Sequence, residues 1–493
     1  MYTVVLKTNL PEFFNDISDE IRLFLDMTDI VSESTNNADY IIDANLSDHN
    51  NIWTATAYIY KHSELKSVYI FDYTAIQGDE IVVKRHKKRC IKIAVFRALK
   101  KYFPDNYTPW GSLTGIRPTK LLRELECEFT DEESKHIMTS MFDVTDKKYQ
   151  IAKQIVDIQM PIINSVKEND IDIYIGIPYC KTKCLYCSFP SGIRTDKTDM
   201  RSYINALKHD IEFGAKIVSD YGYNIRCSYM GGGTPTVLTE DELYEVLEHA
   251  QKCYGSLGHE ITVEAGRPDT ITSKKLKILH DAGVNRISIN PQTMNDSTLE
   301  LIGRSHTSKQ LEESYYCAKD FGFAINMDMI IGLPSEGISE VENTLNRIED
   351  MKPDNLTVHT LALKKSSRLI QLINDKKTDL VMPDAELADT MVEMGLNRAK
   401  NMGMQPYYMY RQKYMRGNLE NIGYSMPGME CVYNIDMMEE TVSIMSHGAG
   451  SMSKRIFDGR TLRVERIANP KDITTYISKA DKVIEDKINL FKR

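Results

Sequence analysis

Residues 171–361 alternate short apolar runs with amphipathic stretches, and this alternation limits the folds open to the chain more than any other feature. The strand-like runs lie at 171–177, 226–230, 260–265, 286–290, 324–331 and 354–361. The helical stretches between them lie at 198–219, 240–254, 272–282, 308–321 and 338–351. This pattern predicts right-handed crossovers and a parallel sheet in an α/β fold. Six strand–helix units are fewer than the eight of a closed barrel, which leaves a partial (β/α)6 barrel and an open sheet as alternatives.

The segments on either side are less regular and predict further domains. Residues 1–90 mix β-like runs with one amphipathic helix and indicate a small α+β domain. Residues 91–170 are typical of a helical connector, broken by a Pro- and Gly-containing loop at 109–120. The region 362–493 mixes helical and β-like pieces and is rich in methionine. We interpret it as an α+β region that covers a substrate, although plain core filling also explains its methionines.

Charge and cysteine content exclude several classes of protein. The 493 residues carry 61 basic and 70 acidic side chains, so nothing in the overall charge favours nucleic acid or an anionic membrane. No apolar run reaches the length of a membrane span, and the first residues lack a secretion signal. Nine cysteines, an odd and scattered set, do not form a disulfide framework. We therefore expect a cytoplasmic protein.

Three cysteines differ from the others because they fall within eight residues. Cys180, Cys184 and Cys187 have the spacing C-x3-C-x2-C directly after the first strand of the repeat. Thiolates are soft ligands that suit iron–sulfur clusters and zinc. Three ligands would leave one iron of a four-iron cluster open. A structural zinc site usually has four ligands, and neither a second cysteine pair nor a histidine lies close by in the sequence.

Polar residues follow the later strands, at the edge where loops of parallel α/β folds build active sites. A glycine-rich segment with Gly232, Gly233 and Thr234 follows the second strand, and glycines there would expose N–H groups to a ligand. The other polar residues of this edge are Glu264, Gln292, Arg304 and Asp328. Each one alone fits a cap or a satisfied buried group. Together at corresponding strand ends they indicate a binding ring.

The cysteine spacing at the end of the first strand resembles the radical S-adenosylmethionine (SAM) superfamily. The resemblance implies that Cys180, Cys184 and Cys187 hold a [4Fe–4S] cluster whose open iron is chelated by SAM. The order of the strand-end motifs is similar to that of the oxygen-independent coproporphyrinogen III oxidase family. That likeness implies a catalytic position for Tyr174, near cluster and substrate. It also implies contacts to SAM from these residues: Gly232, Gly233, Thr234, Glu264, Gln292, Arg304 and Asp328.

Two further segments, 110–120 and 407–424, resemble the HemZ branch of that family. The resemblance implies a coproporphyrinogen dehydrogenase that converts two propionates of coproporphyrinogen III to vinyl groups in haem biosynthesis. Such a reaction needs a reductase or flavodoxin-type electron donor as partner. Phe189 and Gly176 stand where the best-understood oxidases carry cysteine and histidine. Two alternatives therefore stay open: a haem-binding or transfer protein, and a radical SAM enzyme that methylates or degrades haem.

A tetrapyrrole substrate presents carboxylates, which arginine and lysine bind well. The candidates for these contacts are Arg117, Lys120, Arg411 and Lys413. Arg117 and Lys120 lie in the loop 109–120, and Arg411 and Lys413 lie in the segment 407–424. Ordinary structural charges are an equally good interpretation of all four.

Overall fold

The fold is taken from a computed structural model, which describes residues 2–25, 28–33, 38–115, 117–364, 367–374, 380–412, 418–457 and 463–492. The chain divides into two compact units. The first comprises Met1–Lys153 with the short pieces Arg411–Lys413 and Gly417–Leu419. The second comprises Gln154–Tyr410, Tyr414–Arg416 and Glu420–Arg493.

The first unit is a five-stranded sheet with helices. Its elements are β1 Thr3–Thr8, α1 Phe14–Arg22, β2 Asp29–Val31, β3 Tyr40–His49, β4 Ile52–Lys61, β5 Glu64–Thr74, α2 Glu80–Tyr102, α3 Pro118–Glu128, α4 Asp131–His136 and the start of α5 Asp146–Asn164. The strand order is β2-β1-β3-β4-β5. Strands β1, β2 and β3 are parallel neighbours, and β3, β4 and β5 run antiparallel.

Helix α2 belongs to this sheet and passes through residue 90, where the sequence pattern places a domain boundary. Its N-cap is Asp79, whose side chain accepts a hydrogen bond from the backbone N–H of Ile81. Cys90, Val95 and Leu99 are buried in one apolar cluster with residues of α1, β3 and β4. Since burial of this face stabilises helix and sheet together, residues 1–153 form one compact unit.

The second unit begins within α5 and contains an eleven-stranded sheet. Its first part comprises β6 Asp170–Ile177, β7 Tyr179–Cys180, β8 Gly192–Ile193, α6 Met200–Asp220, β9 Asn224–Gly232, α7 Glu240–Tyr254, β10 Glu260–Glu264, α8 Ser273–Asp281, β11 Arg286–Ser288, α9 Asp296–Leu301, α10 Ser308–Lys319, β12 Ala324–Ile331, α11 Ile338–Met351 and β13 Asn355–Thr360. Strands β6, β9, β10, β11, β12 and β13 pair in parallel in that order. These six strands confirm the predicted partial (β/α)6 core.

The remaining elements extend this sheet at both ends. They are α12 Arg368–Asn374, α13 Ala385–Asn401, β14 Gln405–Tyr410, β15 Asn421–Ser425, α14 Val432–Glu439, β16 Ser443–His447, β17 Met452–Ile456, β18 Val464–Ala468, α15 Ile473–Ser478 and α16 Ala480–Phe491. The full order is β14-β15-β13-β12-β11-β10-β9-β6-β16-β17-β18. Strand β16 pairs with β6 in parallel, so its carboxyl end lies beside that of the strand that precedes the three cysteines.

A buried charged cluster secures this added strand. Asp210 of α6 is 2% exposed and accepts hydrogen bonds from Lys487 of α16 and from the Tyr476 hydroxyl. His447, at the end of β16, contacts the same carboxylate through Nδ1 at 3.1 Å. Lys487 and His447 outweigh the effect of burial and hold the pKa of Asp210 below its usual value.

Among the described helices, none is both long and apolar enough to cross a membrane.

Candidate active site

The cysteine loop follows β6 and is held from one side by the glycine-rich segment after β9. The backbone N–H of Gly233 donates to the carbonyl oxygen of Ile177, and that of Thr234 donates to Tyr179, both at 2.7 Å. A Cβ on Gly233 would lie 2.4 Å from the Tyr179 oxygen, so only glycine fits. These two N–H groups are therefore occupied by the protein backbone, and the expectation that they face a ligand is not met.

Each of the three sulfurs has a hydrogen-bond donor close to it. The Thr234 hydroxyl donates to Sγ of Cys180 at 3.5 Å, and Nη1 of Arg267 lies 3.9 Å from Sγ of Cys184. The N–H of Phe189 donates to Cys187. Burial nevertheless raises the pKa of the Cys187 thiol. Donors aimed at sulfur stabilise thiolate ligands, so this loop fits an iron–sulfur cluster.

The geometry disfavours the zinc alternative. In the described part of the chain, the group of three ligand atoms that lie within 4.8 Å of one another is Asp172, Cys227 and Asp436. At least one pair among the sulfurs of Cys180, Cys184 and Cys187 is therefore more than 4.8 Å apart, which is wider than two sulfurs on one tetrahedral zinc ion with bonds of about 2.3 Å. A larger cluster accommodates the wider spacing.

Glu264 is the last residue of β10, and its carboxyl group contacts the neighbouring strand β9. The Tyr229 hydroxyl donates to its Oε1 at 2.8 Å, and a Cβ on Gly231 would lie 3.0 Å from its carboxyl carbon. Burial raises the pKa of Glu264 to about 7, and the nearby Asp328 adds to the rise. This carboxyl group therefore changes charge near neutral pH.

Asp328 lies in the middle of β12 and faces His359 of β13. Its Oδ2 is 3.7 Å from Nε2 of His359, and its Oδ1 accepts a hydrogen bond of 2.7 Å from Asn326. Burial alone would raise the pKa of Asp328, but His359 and Asn326 outweigh it and lower the pKa. The Tyr410 hydroxyl lies 3.2 Å from the other ring nitrogen of His359. Asp328 and Glu264 thus form an acidic pair whose members ionise at different pH.

Gln292 and Arg304 each carry a buried polar atom that lacks a hydrogen bond within the described residues. Gln292 has φ +63°, is held by backbone bonds to β12, and leaves Oε1 without a partner. Nη1 of Arg304 donates to the carbonyl oxygen of Gly266 at 3.0 Å, while its Nε has no partner. The neighbouring Tyr186 and Cys184 outweigh burial and raise the pKa of Arg304. Each of these two atoms can therefore take a hydrogen bond from a polar ligand or from water.

Tyr174 is part of an aromatic stack that its sequence motif did not reveal. Its ring centroid lies 6.3 Å from that of Tyr229, which lies 4.6 Å from that of Tyr433. Burial raises the pKa of Tyr174. Through Tyr229, the stack connects Tyr174 with Glu264. Tyr229 could have been found from sequence, because it stands as far from its strand's end as Tyr174 does from its own, and the two pair in register.

The four cationic candidates do not share one environment. Arg411 is 3% exposed, and its guanidinium donates to the carbonyl oxygens of Leu113 and Asn418 while lying over the Trp110 ring. Because these contacts account for the burial of its charge, we no longer propose Arg411 as a substrate ligand. Arg117 and Lys120 lie at the start of α3 in the first unit, and both have other interactions. Lys413 lies outside the described residues.

Comparisons with known proteins identify the family of this chain. The model of the Radical SAM superfamily matches residues 174–348. The oxygen-independent coproporphyrinogen-III oxidase-like protein HemZ of Bacillus subtilis (strain 168) is 39% identical over 392 residues, which are 78% of this chain and 77% of that protein. The heme chaperone HemW of the same organism is 30% identical over 267 residues, 53% of this chain and 65% of that protein.

The solved structure of coproporphyrinogen III oxidase (HemN) from Escherichia coli is similar with a TM-score of 0.53 at 19% identity, over 67% of this chain and 73% of that chain. This likeness shows a common fold. The match to HemZ extends over more than three quarters of both sequences. The chain therefore belongs to the oxygen-independent coproporphyrinogen-III oxidase-like family of the radical SAM superfamily.

Proposed function

We propose that this protein is an oxygen-independent coproporphyrinogen dehydrogenase, which converts two propionates of coproporphyrinogen III to vinyl groups and yields protoporphyrinogen IX. One observation carries the proposal: three cysteines, each with a donor at its sulfur, follow β6 in the same sheet that carries the acidic pair, Glu264 at the end of β10 and Asp328 within β12. The relative that is 39% identical bears an oxidase-like name, which supports the same reaction class.

The residues at this edge suit the two cofactors. When bound, a [4Fe–4S] cluster and SAM supply one-electron cleavage of the sulfonium and hence the power to abstract hydrogen. Cys180, Cys184 and Cys187 would hold the cluster. The ionised form of Glu264 can accept hydrogen bonds from the ribose hydroxyls of SAM. Because the N–H groups of Gly233 and Thr234 are already used, the carbonyl groups of the glycine-rich segment are the ones that can meet the amino group of SAM.

Three further residues could contact SAM: Gln292 and Arg304 through buried atoms that lack a hydrogen bond, and Asp328 through its charge. Oε1 of Gln292 can accept a hydrogen bond, and Nε of Arg304 can donate one. Asp328, kept ionised by His359, can accept from an amine or a hydroxyl. The contacts of Gln292 and Arg304 would each satisfy an atom that otherwise remains buried without a partner, at a cost of about 1–3 kcal/mol.

The substrate would lie against the tyrosines. The rings of Tyr174 and Tyr229 are partly exposed, so a tetrapyrrole could pack against them, while Tyr433 supports Tyr229 from a buried position. Tyr174 would thereby orient the substrate next to the cysteine loop. For Arg117, Lys120 and Lys413, contact with its propionates stays a prediction from the sequence. A reductase or flavodoxin-type protein would deliver the electron.

A haem chaperone is the second candidate function. The observation that favours it is the 30% identity to HemW, together with Phe189, which stands two residues after the third cysteine, where the best-understood oxidases have another cysteine. A chaperone would bind haem and release it unchanged. Turnover of coproporphyrinogen III and binding of haem therefore separate the two functions.

The test is anaerobic turnover with a reconstituted cluster, reductant, SAM and coproporphyrinogen III, followed by mass spectrometry of the tetrapyrrole and of 5′-deoxyadenosine. We expect two successive losses of a carboxyl group, and loss of both products in Cys184→Ala. Deoxyadenosine formation with unchanged coproporphyrinogen would refute the substrate assignment. Tight binding of unaltered haem without any turnover would establish the chaperone instead, and a modified haem would indicate a methylating or degrading enzyme.

A further inference from the structure

Arg267 connects the cysteine loop to two other loops from a buried position. It is 4% exposed and follows Glu264 by three residues. Its Nη1 donates to the carbonyl oxygen of Thr182 at 3.0 Å and lies 3.9 Å from Sγ of Cys184. Its Nη2 donates to the Thr182 hydroxyl at 2.8 Å and to the Ser305 hydroxyl at 3.3 Å. The planar guanidinium is thus fixed by four partners with one edge at the sulfur.

The sulfur that Arg267 approaches is the one most in need of a counter-charge. Cys184 is buried at 8% exposure, whereas Cys180 and Cys187 are half-buried. A thiolate in a low-dielectric environment is costly unless a cation or a hydrogen-bond donor compensates it. Arg267 provides both, since its charge and its N–H reach the same atom.

The charged side chains around Arg267 give a net positive charge near Cys184. Oδ1 of Asp269 lies 3.3 Å from Nε of Arg267, and Lys181 pairs with the same carboxylate at 3.3 Å. Arg304 adds a second guanidinium, which interacts with Cys184. Burial and the two arginines lower the pKa of His306 to about 3, so its ring is neutral at physiological pH. Three cations therefore face one carboxylate.

We propose that Arg267 is a positioning residue that raises the reduction potential of the cluster by placing a fixed positive charge at the Cys184 ligand. Reduction adds one negative charge to the cluster, and a nearby buried cation stabilises the reduced form more than the oxidised form. This inference rests on the cluster assignment of the proposed function and is independent of the tetrapyrrole substrate.

The experiment is a redox titration of the reconstituted protein without substrate, followed by electron paramagnetic resonance of the reduced cluster. In Arg267→Gln we expect the cluster to be about tenfold less reduced at a given solution potential, a shift of about 59 mV to more negative potential for a one-electron couple. Arg267→Lys keeps the charge and should retain most of the potential. Thr182→Val is the matched control, since it removes a hydroxyl partner of Arg267 and no charge; it should shift the midpoint much less than Arg267→Gln does.

Asp269→Asn tests the sign even if Arg267→Gln fails to hold a cluster. Removal of the carboxylate that partly neutralises Arg267 should shift the midpoint to more positive potential. The inference is overturned if Asp269→Asn leaves the midpoint unchanged or lowers it, if Arg267→Gln has the wild-type value, or if Thr182→Val shifts it as much as Arg267→Gln does. Turnover of coproporphyrinogen plays no part in these readings, so failure of the proposed reaction would show separately.

Discussion

Glu264 should make nucleoside binding depend on pH near neutrality. Its pKa is raised to about 7, with burial as the main cause. If ribose hydroxyls bind the ionised carboxylate, the apparent affinity follows the ionised fraction, which rises from about 9% at pH 6 to about 91% at pH 8. Binding should therefore tighten roughly tenfold over this range, and bound nucleoside should in turn lower the pKa of Glu264.

The probe for this measurement is 5′-methylthioadenosine, which contains the adenine and ribose of SAM and lacks its amino acid. Its use avoids titration of the SAM amino group, whose pKa also lies near 8. Calorimetry at pH 6, 7 and 8 under anaerobic conditions gives the dissociation constants. Glu264→Gln should weaken binding at pH 8 by about tenfold to a hundredfold, the value of a hydrogen bond to a charged group at about 1.5–3 kcal/mol. Its affinity should not vary with pH.

Tyr229→Phe provides a second control because it changes the pKa of the Glu264 carboxyl group and leaves that group in place. The Tyr229 hydroxyl donates to Glu264 at 2.8 Å and favours the ionised form. Its loss should move the midpoint of the pH dependence to a higher value while the ring stack is kept. A wild-type affinity that is constant from pH 6 to pH 8, or a pH dependence that persists in Glu264→Gln, would refute the reasoning.

Three further predictions concern the framework of the second unit. Lys487→Met removes the lysine that neutralises the buried Asp210 carboxylate and leaves it only the hydrogen bonds from Tyr476 and His447, so the unit should lose about 3–5 kcal/mol; thermal melting should show a lower transition, largely restored when Asp210→Asn is added. Gly233→Ala forces a contact with the Tyr179 oxygen and should reduce the iron content after reconstitution, whereas Gly222→Ala, in open space at φ +67°, should not. Burial raises the pKa of Asp172, so its contribution to stability should be lost as pH rises above the unfolded value; Asp172→Asn should make the slope between pH 5 and pH 8 shallower in urea unfolding, and Glu264 accounts for part of the slope that remains.

Much of the central architecture could be predicted because its signals are local. Alternating apolar runs and amphipathic helices predict the six parallel strands, and the observed bounds of β12 (Ala324–Ile331) match the run at 324–331. The spacing of Cys180, Cys184 and Cys187 predicts a shared metal group, since all three lie on one short loop. Glu264 could be placed at a strand end for the same reason.

Contacts between distant parts of the chain had no such signal. Strand β16 pairs with β6 although more than 250 residues separate them, and the sequence of neither segment identifies the other as its partner. Arg411 has the composition of a carboxylate ligand, yet its guanidinium binds the Leu113 carbonyl oxygen from 298 positions away. Arg267 lies near Glu264 in sequence, and only the folded loops bring it to Cys184.

The amino-acid order alone thus settles the chemistry that short spacings encode: a thiolate loop, a series of parallel strands and the polar residues at their ends. Folding settles which of these groups are charged, paired or open, because burial and charge interactions depend on neighbours from remote segments. Glu264 illustrates both. Its place at the end of β10 could be read from one strand, but its pKa of about 7 arises from the burial and from Asp328, two strands further along the chain.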